Sequence, residues 1–124
     1  MYAAVSFALG DKIQATFSGT FSASYYCSYN NNTNGLAVKY GSVSSNTTID
    51  LTLPPGAASQ TNQVQAISIV NSASSSSLTV IIQYFDGSND YTLFEVMSLG
   101  AGYTLTYTAD GAGFQVYDTN GDRQ

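Results

Sequence analysis

The sequence predicts an all-β, single-domain antiparallel β-sandwich, either jelly-roll or immunoglobulin-like, and three observations indicate this fold. Apolar and polar residues alternate with a period of two along much of the chain. Turn-forming stretches of Gly, Asn, Asp, Ser and Pro recur at roughly 8–12 residues, as between the short strands of sandwiches. No segment combines a 3.6-residue period with helix caps, so we expect almost no helix. The 124 residues suffice for one domain, spanning residues 1–124.

The longest alternation runs from Ala15 to Tyr29, with apolar residues at odd positions and mostly hydroxyl residues at even ones. This run is long for one strand, so Gly19 is interpreted as a bend or bulge within it. We expect a loop over residues 29–35, because Asn and Gly tolerate left-handed backbone. A short strand over residues 36–40 and a Ser/Asn-rich connector over residues 41–47 follow.

The second half of the chain shows the same pattern in shorter pieces. Two β-rich runs around Asp86-Gly87-Ser88-Asn89-Asp90 predict a hairpin, since Asp-Gly is a strong turn signal. The remaining expected strands are one alternating through Ile49, Leu51 and Leu53 and ended by Pro54-Pro55-Gly56, one over residues 64–70, one through residues 103–107, and one over residues 114–117. Residues 1–10 are interpreted as an N-terminal arm or an edge strand.

The charge pattern excludes several classes of partner. The net charge is −5, and the three cations, Lys12, Lys39 and Arg123, are scattered. Binding to nucleic acid or to an anionic membrane surface requires clustered cations, so we expect neither. No run approaches the roughly 20 apolar residues that span a bilayer. The apolar start lacks a basic segment, and we therefore expect no secretory signal.

The residues that usually carry catalysis or bind metals are scarce. The chain has no histidine and one cysteine, which excludes an internal disulfide and a Cys/His zinc site. Cys27 falls on the inward side of its strand, as a buried apolar filler. Asp86, Asp90 and Asp110 are interpreted as turn formers rather than a glycosidase pair. Asp118 to Asp122 has the D-x-N-x-D spacing of a calcium loop but lacks its other ligands, so a turn is expected. We predict no catalytic, cofactor-binding or metal-binding residue.

Tyrosine is the unusual feature of the composition, with ten residues and no tryptophan. Tyrosine is common at protein interfaces, because it joins a large apolar ring to a hydroxyl that stays hydrated. Half-buried strands also favour aromatic residues, which is the structural alternative. The residues that we single out for protein interaction are Tyr25, Tyr26 and Tyr29, together with Tyr2 and Phe7 of the N-terminal arm. Tyr25 and Tyr26 must point to opposite faces of a strand.

The second half of the chain resembles small virion structural proteins of tailed bacteriophages. The similarity lies in NQVQAISIVNSASSSSLTVIIQY, the hairpin DGSNDYTLF, the segment SLGAGYTLTY, and the closing GAGFQVYDTNG with Gly111, Gly113, Phe114, Val116, Asp118 and Gly121. The start DKIQA also fits the way in which such proteins begin. The resemblance covers Asp11 to Gly121 and is closer after Gln63. The Asn-rich loop near Tyr29 departs from it.

This resemblance implies a bacteriophage capsid decoration or cement protein that stabilises the shell by bridging capsid subunits. The expected partner is the major capsid protein, and the expected oligomer is a homotrimer. The expected location is the virion, assembled in the cytoplasm of the host bacterium. No catalytic residues are known for this family, so the chain is not expected to be an enzyme.

Three alternatives to capsid decoration remain at the level of the sequence. Within the same class, the chain would be a head–tail, neck or tail-fibre component. From another class, it would be a carbohydrate-binding module that uses exposed aromatic residues. The third alternative is an enzyme such as a glycoside hydrolase or depolymerase, which normally needs a deeper cleft than a chain of this length provides.

Overall fold

The computed structural model describes the backbone of residues 5–6 and the full residues 11–56, 60–73, 77–110 and 113–124. Within these ranges the chain forms strands and turns without a helix, so they contain no helix that could cross a bilayer. The strands are β1 (Val5–Ser6), β2 (Lys12–Thr20), β3 (Ala23–Asn31), β4 (Gly35–Val43), β5 (Thr47–Asp50), β6 (Asn62–Asn71), β7 (Ser77–Phe85), β8 (Asp90–Gly100), β9 (Thr104–Thr108) and β10 (Gly113–Tyr117).

The strands form two antiparallel sheets packed face to face, which confirms the predicted β-sandwich. Sheet A has the order β10-β9-β6-β3-β4, with β1 paired to β6 beyond the end of β9. Sheet B has the order β5-β2-β7-β8. The edge strands are therefore β4 and β10 in sheet A, and β5 and β8 in sheet B.

The alternation from Ala15 to Tyr29 is divided between the two sheets. It runs through β2 in sheet B, bends, and continues as β3 in sheet A without changing its inward phase. The predicted bend lies next to Gly19, whose φ of +118° is a conformation that L side chains rarely adopt. A Cβ at Gly19 would also lie 2.7 Å from the Ser77 carbonyl oxygen. This position therefore requires glycine.

Two pairs of consecutive strands, β2–β3 and β6–β7, define how the sheets are connected. The consecutive strands β2 and β3 pair antiparallel with β7 and β6, which are also consecutive, so one folded ribbon crosses both sheets. The strand order differs from the immunoglobulin order, in which strands A, B, E and D form one sheet and C, F and G the other.

The core lies between the sheets and is built from the inward rows of both. Its largest fully buried side chains include Tyr107, Phe17, Ile13, Leu51, Ile67 and Leu105. Aromatic contacts join the sheets: the Phe94 ring stacks on the Phe114 ring with centroids 4.8 Å apart. Because large core side chains leave cavities when truncated, Phe17→Ala would cost about 3–5 kcal/mol of folding free energy.

A β-bulge in β6 explains an irregular hydrophobic pattern. Val64 and Ile67 are three residues apart, yet both are buried. Tyr29 pairs with Val64 and Ser28 with Ala66, so Gln65 is left as the extra residue. The Gln65 carbonyl instead accepts a hydrogen bond from the backbone N–H of Ala109 at 3.0 Å. The insertion shifts the phase of β6 by one residue.

Three sequence predictions differ from the structure. The loop expected over residues 29–35 is reduced to a turn at residues 32–34, because β3 runs to Asn31 and β4 begins at Gly35. The strand expected over residues 36–40 runs through Gly35–Val43, because it pairs with β3 along its whole length, and this shortens the predicted connector. Leu53 was expected to continue the alternation of Ile49 and Leu51. Instead β5 ends at Asp50, and Leu53 is 56% exposed.

The structure contains the predicted hairpin and a two-residue strand in the N-terminal segment. Between β7 and β8, one oxygen of the Asp86 carboxylate accepts the N–H groups of Ser88 and Asn89, which closes the turn. Val5–Ser6 pairs antiparallel with Gln63 and Asn62 of β6. Tyr2 and Phe7 lie outside the described residues.

Candidate functional site

The outer face of sheet A is uncharged. One row of residues crosses all five strands as Tyr40, Tyr26, Ser68, Thr106 and Gln115. The row on one side is Val38, Ser28, Ala66, Thr108 and Gly113, and the row on the other is Ser42, Ser24, Val70, Thr104 and Tyr117. None of these side chains carries a charge, and depletion of charge is typical of the buried centre of protein interfaces.

The β4 side of this face is also apolar. The Tyr40 and Tyr26 side chains lie directly opposite each other on β4 and β3, and they are 75% and 42% exposed. Val38 and Leu36 continue along β4 at 44% and 68% exposure. We call these four residues the β3–β4 patch. Contiguous exposed apolar side chains on a folded domain indicate a binding surface more often than scattered ones do.

The outer face of sheet B is charged. The Lys12 ammonium lies 2.9 Å from the Asp50 carboxylate and 5.3 Å from the centroid of the Phe85 ring. Asp90 pairs with Phe85 at one end of the sheet, and Glu95 is exposed opposite Ile81. The cation and the acids are distributed across this face, as on an ordinary solvated surface.

Lys39 occupies an unusual position on the edge strand β4. It pairs with Cys27 on the inward side of sheet A and is half-buried. No acidic group lies within salt-bridge distance of it in the part of the chain that is described. An inward-pointing charge is one of the devices by which proteins prevent edge strands from pairing with other chains. The edge of β4 is therefore protected, while its outer face is apolar.

The tyrosines singled out from the sequence occupy different environments. Tyr26 lies on the outer face, and Tyr25 points inward, which confirms that neighbouring residues of the strand face opposite sides. The centroid of the Tyr25 ring is 6.4 Å from that of the Phe17 ring. The ring of Tyr29 is 5% exposed, and its hydroxyl oxygen accepts the N–H of Leu53 at 3.2 Å. Because the core covers the Tyr29 ring and most of Tyr25, only Tyr26 of the three presents its ring on the surface.

Sequence reasoning missed the β4 half of the patch for an identifiable reason. Leu36, Val38 and Tyr40 alternate with Ala37 and Lys39, and this pattern predicts that the larger apolar residues face the core. The structure has the opposite orientation, because β4 pairs with β3 in a register that places Tyr40 opposite the outward Tyr26. The sequence contains no contrary signal, because a lysine on the smaller-residue side is also what an ordinary strand with that side facing solvent shows.

A pocket opens at the same edge of the sandwich, between the β3–β4 turn and the segment after β5. Its volume is about 400 Å³, within the range of small-molecule sites. The lining residues are Tyr29, Asn31, Asn34, Gly35, Leu36, Ala37, Leu53, Pro54, Gly56, Gln60 and Asn62. The lining contains both carboxamide and apolar side chains.

The reactive groups considered from the sequence occupy structural positions. Burial raises the pKa of the Cys27 thiol to about 12, so the nucleophilic thiolate is scarce at neutral pH. Backbone N–H groups of Asn89 and Ser88 lower the pKa of Asp86, the opposite of what a general acid needs. Asp118 accepts the N–H groups of Asn120 and Asp122 and thereby forms the expected turn. Within the described ranges, no cluster of three metal-ligating side chains occurs.

No protein-family model, curated protein sequence or solved structure matches this chain.

Proposed function

We propose that this chain is a structural component of a bacteriophage particle, and specifically a decoration protein that stabilises the capsid by bridging neighbouring shell subunits. The single observation that carries the proposal is the uncharged outer face of sheet A with the β3–β4 patch at its edge. The resemblance of the second half of the chain to small phage virion proteins is the reason for proposing a phage particle as the setting. The partner is a shell protein with a similarly neutral surface.

The composition of the face suits binding to another protein. Tyrosine, valine and leucine supply apolar area, while serine and threonine hydroxyls both donate and accept hydrogen bonds. A partner surface rich in charge would lose hydration here without gaining an ion pair, which is costly. The face therefore favours neutral partner surfaces and discriminates against charged ones.

The size of the face suits a contact that is repeated many times. Five strands about 4.8 Å apart give a width of about 20 Å, and strand lengths of five to ten residues give roughly 500 Å² in all. A stable pairwise interface buries about 800 Å² on each partner. One such face is consequently a weak contact by itself. Symmetric repetition over a shell, or assembly of the chain into the proposed homotrimer, would provide the missing strength through avidity.

The face, rather than the edge of β4, is the proposed contact. Strand addition at the edge would bring a second backbone beside the half-buried Lys39, which has no acidic partner within reach in the described structure. Burying that ammonium further would cost free energy. Contact through the face leaves Lys39 where it is.

The direct test is composition of purified particles. Particles from the bacterial culture that carries the gene are purified on a density gradient and analysed by quantitative mass spectrometry. We expect peptides of this chain at a copy number that is a simple ratio of the major capsid protein. A few copies per particle would instead support the head–tail, neck or fibre alternative, and complete absence would contradict the proposal.

Removal of residues 1–10 tests the N-terminal arm, including Tyr2 and Phe7. We expect the shortened chain to remain folded and to lose binding to particles that lack the full-length chain. Circular dichroism provides the folding control, since deletion removes the short pairing of Val5–Ser6 with β6. Wild-type occupancy by the shortened chain would eliminate the arm from the interface and leave the outer face of sheet A as the contact.

A further inference from the structure

The pocket at the edge of the sandwich is a second site, which shares one residue, Leu36, with the β3–β4 patch. We propose that it binds a neutral sugar, such as the terminal residue of a glycan. The proposal is independent of the particle role, because a decoration protein, a fibre component or a module from another source would carry this site equally well.

The first argument is the absence of charge in the lining. The lining side chains are amides, a phenol and apolar groups. A phosphate, carboxylate or ammonium group would lose hydration on entering the pocket and would find no opposite charge there. An ionic ligand is therefore disfavoured.

The second argument is an unused donor inside the pocket. The Tyr29 hydroxyl accepts the N–H of Leu53, and its own proton has no acceptor in the described structure. Tyr29 is 5% exposed, so the hydroxyl depends on the pocket for a partner. A buried donor without an acceptor costs about 1–3 kcal/mol, and a bound acceptor removes that cost.

The third argument is a rigid set of carboxamides. The Asn31 amide nitrogen donates to the Asn62 side-chain oxygen at 2.8 Å, and the Asn62 amide nitrogen donates to the Leu53 carbonyl at 2.6 Å. The Gln60 oxygen accepts the N–H of Gly56 at 3.0 Å, which leaves its NH₂ group for a ligand. Each of these amide nitrogens has a second hydrogen, and their orientations are set before a ligand arrives.

The chemistry of the lining matches a sugar ring. Adjacent ring hydroxyls both donate and accept, as carboxamides and phenols do. The C–H face of a pyranose ring is apolar, and Leu36, Leu53 and Pro54 supply an apolar wall for it. Leu36 and Leu53 are 68% and 56% exposed, so the wall is accessible from solvent. A volume of about 400 Å³ accommodates one or two sugar units.

The test is calorimetric titration of the full chain with D-glucose, D-galactose, D-mannose and N-acetyl-D-glucosamine. N-acetylneuraminic acid is the charged comparison, and a blocked neutral dipeptide is the peptide comparison. We expect saturable binding of at least one neutral sugar with a Kd of about 1 mM or tighter. Absence of such binding, or preferential binding of the charged sugar or the dipeptide, would overturn the proposal.

Two variants connect binding to the pocket. Tyr29→Phe removes the hydroxyl but keeps the ring, and Gln60→Glu keeps the acceptor for Gly56 but removes the NH₂ donor. Each should weaken neutral-sugar binding about tenfold, the effect of one net hydrogen bond. Tyr40→Phe, the same chemical change on the outer face, should have no effect. If Tyr29→Phe unfolds because the N–H of Leu53 loses its acceptor, Gln60→Glu alone decides. Unchanged affinity in a folded Gln60→Glu chain would refute the site.

Discussion

The two outer faces of this sandwich are built from the same secondary structure, and they differ in charge. The face of sheet A has three rows of hydroxyl, amide and apolar side chains, with Tyr26 and Tyr40 facing each other at its exposed margin. The face of sheet B has a salt bridge between Lys12 and Asp50, and Glu95 is exposed on it. We propose that this difference reflects contact of the outer face of sheet A with another protein surface, whereas the outer face of sheet B is exposed to water.

The largest expected effect comes from placing a charge within the β3–β4 patch of the uncharged face. Tyr26→Asp would bury an unpaired carboxylate in the proposed interface, at a cost of about 3–5 kcal/mol, and weaken binding to particles by more than about 100-fold. Competition with labelled wild-type chain for particles that lack it measures this change. Met97→Asp, at a 69% exposed position on β8 of sheet B, is the control and should compete normally. Equal losses in the two variants would remove the distinction between the faces.

Truncation of an aromatic side chain should have a smaller effect of the same kind. Tyr40→Ala would lose about 2 kcal/mol of binding free energy, or roughly 30-fold in affinity, if Tyr40 is an interface hot spot. Folding stability should change by less than about 0.5 kcal/mol, because the side chain is 75% exposed. Tyr91→Ala, at a 51% exposed position on β8, provides the matched control in the same competition assay. A larger loss for Tyr91→Ala would assign the contact to sheet B instead.

The charges of sheet B should affect stability only slightly. Lys12→Met keeps the aliphatic stem and removes the ion pair with Asp50, which should cost about 0.2–1 kcal/mol in urea unfolding. The cost should shrink at 1 M salt, where the Debye length is about 3 Å. Lys39→Met removes a cation without a salt bridge in the described structure, so its effect should not depend on salt. A Lys12→Met effect above about 2 kcal/mol would show that this pair is not a surface pair.

The smallest effect concerns the hairpin turn of sheet B and its dependence on pH. The N–H groups of Asn89 and Ser88 lower the pKa of Asp86 below its ordinary value of 3.8. The Asp86 carboxylate thus binds a proton less tightly in the folded chain than in the unfolded chain. The ionised Asp86 therefore stabilises the folded chain fully at pH values above its pKa in the unfolded chain. This stabilisation is lost as the pH falls through the pKa of Asp86 in the folded chain.

Thermal unfolding of Asp86→Asn between neutral and strongly acidic pH tests this linkage. The asparagine keeps an acceptor for the turn but does not titrate. We expect the wild-type advantage to decrease below about pH 4, by a small amount because the carboxylate is fully exposed. An advantage that grows as the pH falls would contradict the direction of the pKa shift.

The contrast between β2–β3 and β4 shows how far the sequence predicts this molecule. From Ala15 to Tyr29, apolar side chains alternate with hydroxyls, and the structure buries the apolar set in both sheets. Along β4 the same rule predicts the wrong face, because Lys39 is inward and Tyr40 outward. An edge strand covers only part of a core, so alternation alone cannot specify which of its sides is buried.

The irregular elements could not be predicted from local pattern either. The bulge at Gln65 reverses the phase of β6, and its signal is only that Val64 and Ile67 are three residues apart. The pocket brings together residues from β3, β4, β6 and the segment after β5, up to 33 positions apart, and the Asn31–Asn62 hydrogen bond joins two of them. No window of sequence contains such a site.

By itself, the sequence determined that this chain is all-β, that it closes one core without disulfides, and that Asp-Gly and Asn-rich segments are turns. These properties follow from side-chain periodicity and backbone preference, which act over a few residues. The tertiary structure alone decided which outer face is uncharged, that Tyr29 is buried while Tyr26 and Tyr40 meet on the surface, and where the carboxamides of the pocket converge. Those properties depend on strand order and register, which are set by packing between segments that are distant in the chain.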